Sequence, residues 1–192
     1  MAGHDTIDTR RLSDAALAHV VRRLARRDEP PWLHAEIARR MAERLAIVKL
    51  QPSRIVDWWS FLGAGHELLR RAYPQAQLVV VEPDAVAERR VPASRAPWWS
   101  TKRWRAGAEV HREGDELGPP AQLVWANMML HAAKDPPALL ARWQRVLAPD
   151  GFVMFSCFGP DTLRELRELY ARLGWPTPMA PFVDMHDLGD ML

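Results

Sequence analysis

Several protein classes are excluded by what this chain lacks. It has a single cysteine, Cys157, so no intramolecular disulfide can form and no two-cysteine zinc knuckle can be built. Cys157 lies in the apolar run GFVMFSCF, where it reads as a small buried hydrophobe in a reducing cytoplasm. No window reaches the eighteen or so apolar residues of a membrane span. The start MAGHDTIDTRRLSD has no apolar core of signal-peptide length, so the expectation is a soluble, cytoplasmic protein with no membrane association. There is no Walker loop and no Gly-x-Ser-x-Gly elbow, which removes the phosphate-loop and serine-hydrolase readings. The seven histidines are scattered, so no metal site is expected. A net charge of only +2 excludes a nucleic-acid-binding polycation.

The distribution of charge carries more than its sum. Arg10, Arg11, Arg22, Arg23, Arg26, Arg27, Arg39 and Arg40 crowd the first part of the chain, while the tail PFVDMHDLGDML is acidic. The arginines serve either as solvated helix surface or as a face that steers an acidic partner. Apolar residues at 48% and charged residues at 26% place the chain among globular proteins. At 192 residues it is long enough for one domain with a sizeable core, so residues 1–192 are read as a single unit.

Apolar spacing predicts two helices, over 12–27 and 32–49, separated by Glu29-Pro30-Pro31. Together, residues 1–50 form an N-terminal helical extension, and 51–192 form the core. QPSRIVDWW predicts a strand ending at Asp57, HELLRRAYP a helix stopped at Pro74, and QLVVVEP a strand closed by Glu82. A short helix at DAVAERR leads into an elaborated connection with Trp98, Trp99 and Trp104, which either stack on a ligand or pack under a long loop. AEVHREG is a weak strand and AQLVWAN, Ala121 to Asn127, a better one. In DPPALLARWQRVL, Asp135 is the N-cap with prolines in the first turn. GFVMFSCFG, 151–159, reads as a fully buried strand; Asp161 or Thr162 then opens a helix that ends at Gly174. Strands that are apolar throughout and alternate with helices imply an α/β fold, a doubly wound parallel sheet with helices on both faces.

In such folds ligands bind beyond the carboxyl ends of the strands, where strand order reverses. Three strand ends carry suitable residues: Asp57 with the turn containing Gly63 and Gly65, then Glu82, then Asn127. Glycines let a ligand approach backbone NH groups, although a glycine pair also makes an ordinary turn. Glu82 follows Gly65 at nearly the spacing of an acid that bonds ribose hydroxyls. Leu68 stands where a dinucleotide fingerprint has its third glycine, which counts against NAD and leaves room for an adenosyl ligand without a pyrophosphate. Met128 and Met129 line a pocket or pack at a strand end.

These residues resemble the class I S-adenosylmethionine-dependent methyltransferases, whose Rossmann-like core has this order of strands with Asp57, Gly63-Ala64-Gly65 and Glu82. More specifically, VWANMMLHAAKDPPALLARWQRVLAPDGFVMFSCFGPDTLRELRELY and PFVDMHDLGDML resemble the biotin-synthesis malonyl-acyl-carrier-protein O-methyltransferase family. The pattern F-x-x-x-GP-x-TL-x-EL is present from Phe155 to Leu166, and the resemblance runs from about Ala35 to the last residue. It implies an enzyme that moves a methyl group from S-adenosyl-L-methionine to the free carboxylate of a malonyl thioester on acyl carrier protein. It assigns Gly63 and Gly65 to the methionine moiety, with Asp57 in the same loop. Glu82 would meet the ribose hydroxyls, Asp115 the adenine amino group, and Asn127 the amino-acid part or the transferring methyl. A malonyl carboxylate is ionised near neutral pH, so no general base and no catalytic dyad are expected. The acidic carrier protein would dock on the arginine-rich helices. The family's first loop has more glycine and small residues than WWSFLGAG, so Trp58 and Trp59 point either into the sheet's packing or into the cofactor's space. A protein of this class would continue past HDLGDML into a final antiparallel strand pair; the sequence as read lacks that pair and leaves the fifth strand's edge open. Alternatives are a non-catalytic relative that keeps the fold as a binding protein, and an enzyme acting on another small carboxylate.

Overall fold

A computed structural model describes residues 14–27, 29–84, 86–87, 109–179 and 182–191. Five strands, β1 (Arg54–Trp58), β2 (Gln77–Glu82), β3 (Glu109–Arg112), β4 (Ala121–Ala126) and β5 (Leu147–Phe155), form one sheet in the order β3-β2-β1-β4-β5. Every pairing is parallel. Chain order therefore reverses between β1 and β4, and the loops following these two strands leave the sheet in opposite directions. The helices are α1 (Asp14–Ala25), α2 (Trp32–Leu45), α3 (Ser60–Gly63), α4 (His66–Ala72), α5 (Pro136–Val146), α6 (Arg164–Arg172) and α7 (Met185–Asp190).

Alternation of side chains along the strands divides the core in two. Ile55, Leu78, Leu123 and Trp125 face Ala38, Met41 and Leu45 of α2 and Leu69 of α4. Val56, Trp58, Val79, Val81, Val124 and Ala126 face Leu140 and Trp143 of α5. Both faces are thus covered, which is why β1 is buried at all five positions. The architecture is α/β and Rossmann-like.

Local chemistry sets the helix ends where a side chain is available. The Asp135 carboxylate accepts from the Ala138 NH at 2.9 Å, and the prolines follow it in the first turn of α5. Gly174, at φ +66°, ends the segment after α6 in the left-handed conformation glycine tolerates.

Two expectations are corrected. The strand expected at 151–159 begins at Leu147, ends at Phe155 and is only half-buried. Among the described residues it is the outer strand, paired with β4 alone, and α6 after it buries none of its residues. Leu166, Leu169, Leu173 and Trp175 are exposed on that side. Neither Asp161 nor Thr162 caps α6. A tight turn intervenes, in which the Thr162 NH donates to Gly159 O and the Arg164 NH to Asp161 O; the helix starts after Leu163 at φ +52°. Part of the helix expected at DAVAERR is described, with Val86 and Ala87 buried. Trp98, Trp99 and Trp104 lie outside the described residues.

Candidate functional site

The end of β1 leads into a closed turn. The Trp59 NH donates to Val81 O at 2.6 Å, carrying the ladder one residue past the strand. Trp59 itself sits at φ +55°, as does Ala64 on the far side of the one-turn helix α3. An L-residue in this region costs about 1–2 kcal/mol, so the surroundings must hold Trp59 there. They do so through Glu113, just past β3, whose Oε1 accepts from the indole Nε1 of Trp59 at 2.7 Å and of Trp58 at 3.2 Å. Trp58 is completely buried, edge-on to Trp143 with ring centroids 6.1 Å apart, and the Arg142 guanidinium stands 5.2 Å from its ring centre. Both tryptophans therefore belong to the packing above α5.

Asp57, Glu82 and Asn127 meet at the same end of the sheet, and each is 0% exposed. Glu82 Oε1 accepts from the Phe61 backbone NH at 3.1 Å, which ties the end of β2 to α3. The Asn127 amide donates to Gly63 O at 2.6 Å and to His34 O at 2.8 Å, and its Oδ1 accepts from the Ser156 hydroxyl at 2.6 Å. One side chain thus joins the loops after β1, β4 and β5 to the start of α2. The next residue, Met128, is at φ +53°, with its NH donating to Ser156 O.

The glycines clear space that the chain itself fills. A Cβ on Gly63 would lie 3.3 Å from Asn127 O. A Cβ on Gly65 would lie 2.4 Å from Trp125 Nε1 and 3.1 Å from Asp57 Oδ1. Asp115 stands apart from this group, beyond β3 and two strands from β1. Its carboxylate accepts from the Arg112 NH and its carbonyl from Arg142 Nη2, beside a cavity of about 490 Å³ that Arg145 and Leu117 also line. The arrangement brings together Asp57, Gly63, Gly65, Glu82 and Asn127, and leaves Asp115 in the loop after β3, the strand beside β2. Glu113, Trp125, Ser156 and His34 escaped the sequence reading. Glu113 and Ser156, each directly after a strand, held positions that could have suggested them.

Beside this junction the rings of His131, Phe158 and Phe182 cluster, with His131 4.4 Å from Phe158 and 6.0 Å from Phe182 between centroids. Burial, and secondarily the neighbouring His34, pushes the His131 imidazole down to about 4. Burial lowers His34 too, whose Nδ1 lies 2.9 Å from Leu62 O. Both rings are neutral in the fold at neutral pH. Between the folded value near 4 and the ordinary value near 6.5, the unfolded chain binds more protons, so stability falls as pH falls through that window. His131 contributes up to roughly 3 kcal/mol of this loss. Urea midpoints measured from pH 7.5 to 4.5 should drop, and His131→Gln should flatten the decline; an unchanged slope would refute the assignment.

On α2, Arg39 and Arg40 pair with Glu36 at 2.9 and 2.7 Å, and those two partners, Arg39 first, hold its carboxyl at about 2. Arg22, Arg23, Arg26 and Arg27, on and just after α1, are exposed. Among the described residues, no group of three or more His, Cys, Asp or Glu is arranged for a metal ion. No described helix is long and apolar enough to cross a membrane.

Comparison with known proteins gives consistent matches. Residues 17–192 match a family model described as a methyltransferase domain. The chain is 36% identical over 170 residues to a malonyl-[acyl-carrier protein] O-methyltransferase of Gallionella capsiferriformans, covering 86% of this chain and 58% of that protein. It is 37% identical over 173 residues to the protein of that name from Laribacter hongkongensis, covering 86% and 57%. The chain thus spans less than three-fifths of the length of these curated relatives. Among solved structures, the N-methyltransferase NodS of Bradyrhizobium japonicum, in complex with S-adenosyl-L-homocysteine, superposes with a TM-score of 0.59 at 14% identity, over 92% of this chain and 84% of that one. An O-methyltransferase family protein of Burkholderia thailandensis gives 0.53 at 12% identity, over 82% and 50%.

Proposed function

The chain belongs to the methyltransferase domain family, and from that membership we propose that it takes part in S-adenosyl-L-methionine-dependent methylation of the free carboxylate of a malonyl thioester on acyl carrier protein. The observation that carries this reading is the similarity to enzymes of that name over most of the chain. The fold supports it: strand order reverses at β1 and β4, where such a fold takes its ligand, and Asp57, Glu82 and Asn127 stand at the carboxyl ends of adjoining strands. The setting would be the cytoplasmic step that masks a malonyl charge before chain elongation toward biotin.

The cofactor would supply an electrophilic methyl on a sulfonium. The side chains as arranged do not fit it. A ribose diol needs an accessible acid at the end of β2, whereas Glu82 is 0% exposed with Phe61 NH on its Oε1. The acceptor side asks little of the chain, because a malonyl carboxylate is ionised at neutral pH and needs no base. The exposed arginines of α1 offer a positive face for an acidic carrier protein.

Buried Glu82 also favours a second reading, a non-catalytic relative that retains carrier-protein binding. The two separate in one assay. Methyl-labelled S-adenosyl-L-methionine is supplied with malonyl-acyl carrier protein or with free malonate, using the full-length gene product. Label on the carrier-bound acid supports the proposal; label on free malonate alone points to another carboxylate acceptor. No label on either, with the carrier protein still bound, would establish the second reading. Rescue of growth in a strain unable to make biotin tests the same activity in the cell.

A further inference from the structure

We propose that the Trp59 indole and the Phe61 backbone amide determine whether this crevice admits a nucleoside ligand with a vicinal diol, and that they hold it shut by contacts made inside the chain. The inference rests on the methyltransferase reading for the location of the crevice, and on the geometry for its closure.

Three contacts converge on one turn. The Trp59 indole is tethered to Glu113 at 2.7 Å, the Phe61 NH is bonded to Glu82 at 3.1 Å, and Gly63 O is held by the Asn127 amide at 2.6 Å. Each anchor comes from a different strand end, those of β3, β2 and β4, so the turn spans the mouth of the sheet at the strand-order reversal. Trp59 is 5% exposed at a positive φ that glycine would adopt freely. A bulky residue persists in that conformation only where its surroundings determine it, and these tethers do so. Glu82 is 0% exposed and its Oε1 accepts the Phe61 amide of α3, so a diol that donates to that oxygen must displace this amide. Entry of the ligand therefore requires α3 to withdraw. The apparent affinity is the intrinsic affinity reduced by the fraction of molecules in which it has done so.

The test measures S-adenosyl-L-homocysteine binding by calorimetry to the wild-type chain, Phe61→Pro, which removes the amide donor, and Glu113→Ala, which removes the acceptor of the Trp59 indole. Near-UV circular dichroism of each variant confirms that the core is retained, and Trp59→Phe, which removes only the indole NH, serves as the mild variant should the larger changes unfold it. Hydrogen exchange of the amides of residues 59–63 is followed with and without ligand. The expected result is binding at least tenfold tighter in the folded variants that loosen the turn. Those amides should be protected in the free wild-type chain and released from protection when ligand binds. Wild-type binding as tight as in the variants, or binding that leaves protection of 59–63 unchanged, would overturn the inference while leaving the methyltransferase reading intact. Tighter binding in the variants without methyl transfer to malonyl-acyl carrier protein would uphold the inference and remove the proposed activity. No binding by any folded variant would overturn both.

Discussion

Asn127→Ala should lower the unfolding free energy by roughly 2–3 kcal/mol, because three hydrogen bonds end on that one completely buried amide and each is worth about 1 kcal/mol. The carbonyls of Gly63 and His34 lose their donor, and the Ser156 hydroxyl loses its acceptor, at a junction where the bond to Gly63 is buried and the other two are part-buried. Asn127→Asp should be worse. A carboxylate offers no donor to either carbonyl, and a completely buried charge adds its own desolvation cost. Urea denaturation of the two variants, with hydrogen exchange over α2 and α3, checks both the size and the place of the effect. A loss below about 1 kcal/mol in Asn127→Ala would show that the junction is not held by this amide.

Gly65→Ala should destabilise by roughly 2–3 kcal/mol through overpacking. The backbone there is ordinary, φ −83° and ψ −29°, so any residue could adopt it. On conformational entropy alone, alanine would stabilise by about 0.4–1 kcal/mol. The sign is reversed by Trp125, whose Nε1 and Cδ1 would lie 2.4 and 2.8 Å from the new methyl. That indole is completely buried among Ile55, Leu69 and Leu123 and has nowhere to move. Gly63→Ala should cost less, with its nearest contact at 3.3 Å, and Gly114→Ala should be nearly neutral, with nothing within 4 Å. Thermal midpoints for the three glycine variants in any other order would contradict the packing argument.

The strand ends were legible because each follows a short apolar run and is closed by a polar residue. Glu82 after QLVVV and Asn127 after AQLVWA were found in that way. Asp135 was legible as a cap because a local rule governs it, and the Ala138 NH obeys the rule. The misreadings have a common origin. GFVMFSCFG is as apolar as a central strand, yet its place at the sheet's edge depends on which strand it pairs with. Capping of α6 by Asp161 or Thr162 gave way to a turn held by two local backbone hydrogen bonds.

The loop DWWSFLGAGHELL divides the two kinds of information. Sequence by itself determined that a strand ends near Asp57, that a helix begins at His66 and that a tight turn joins them, since periodicity and turn residues act over a few positions. Only the tertiary structure decided what fills the space around that turn. Trp125, sixty positions on from Gly65, takes the clearance the glycine leaves. Glu113 collects two indoles from across the sheet, and Asn127 pins Gly63 from the neighbouring loop. Those partners are set by strand order, which brings distant residues within hydrogen-bond range at an end of the sheet that no short stretch of sequence encodes.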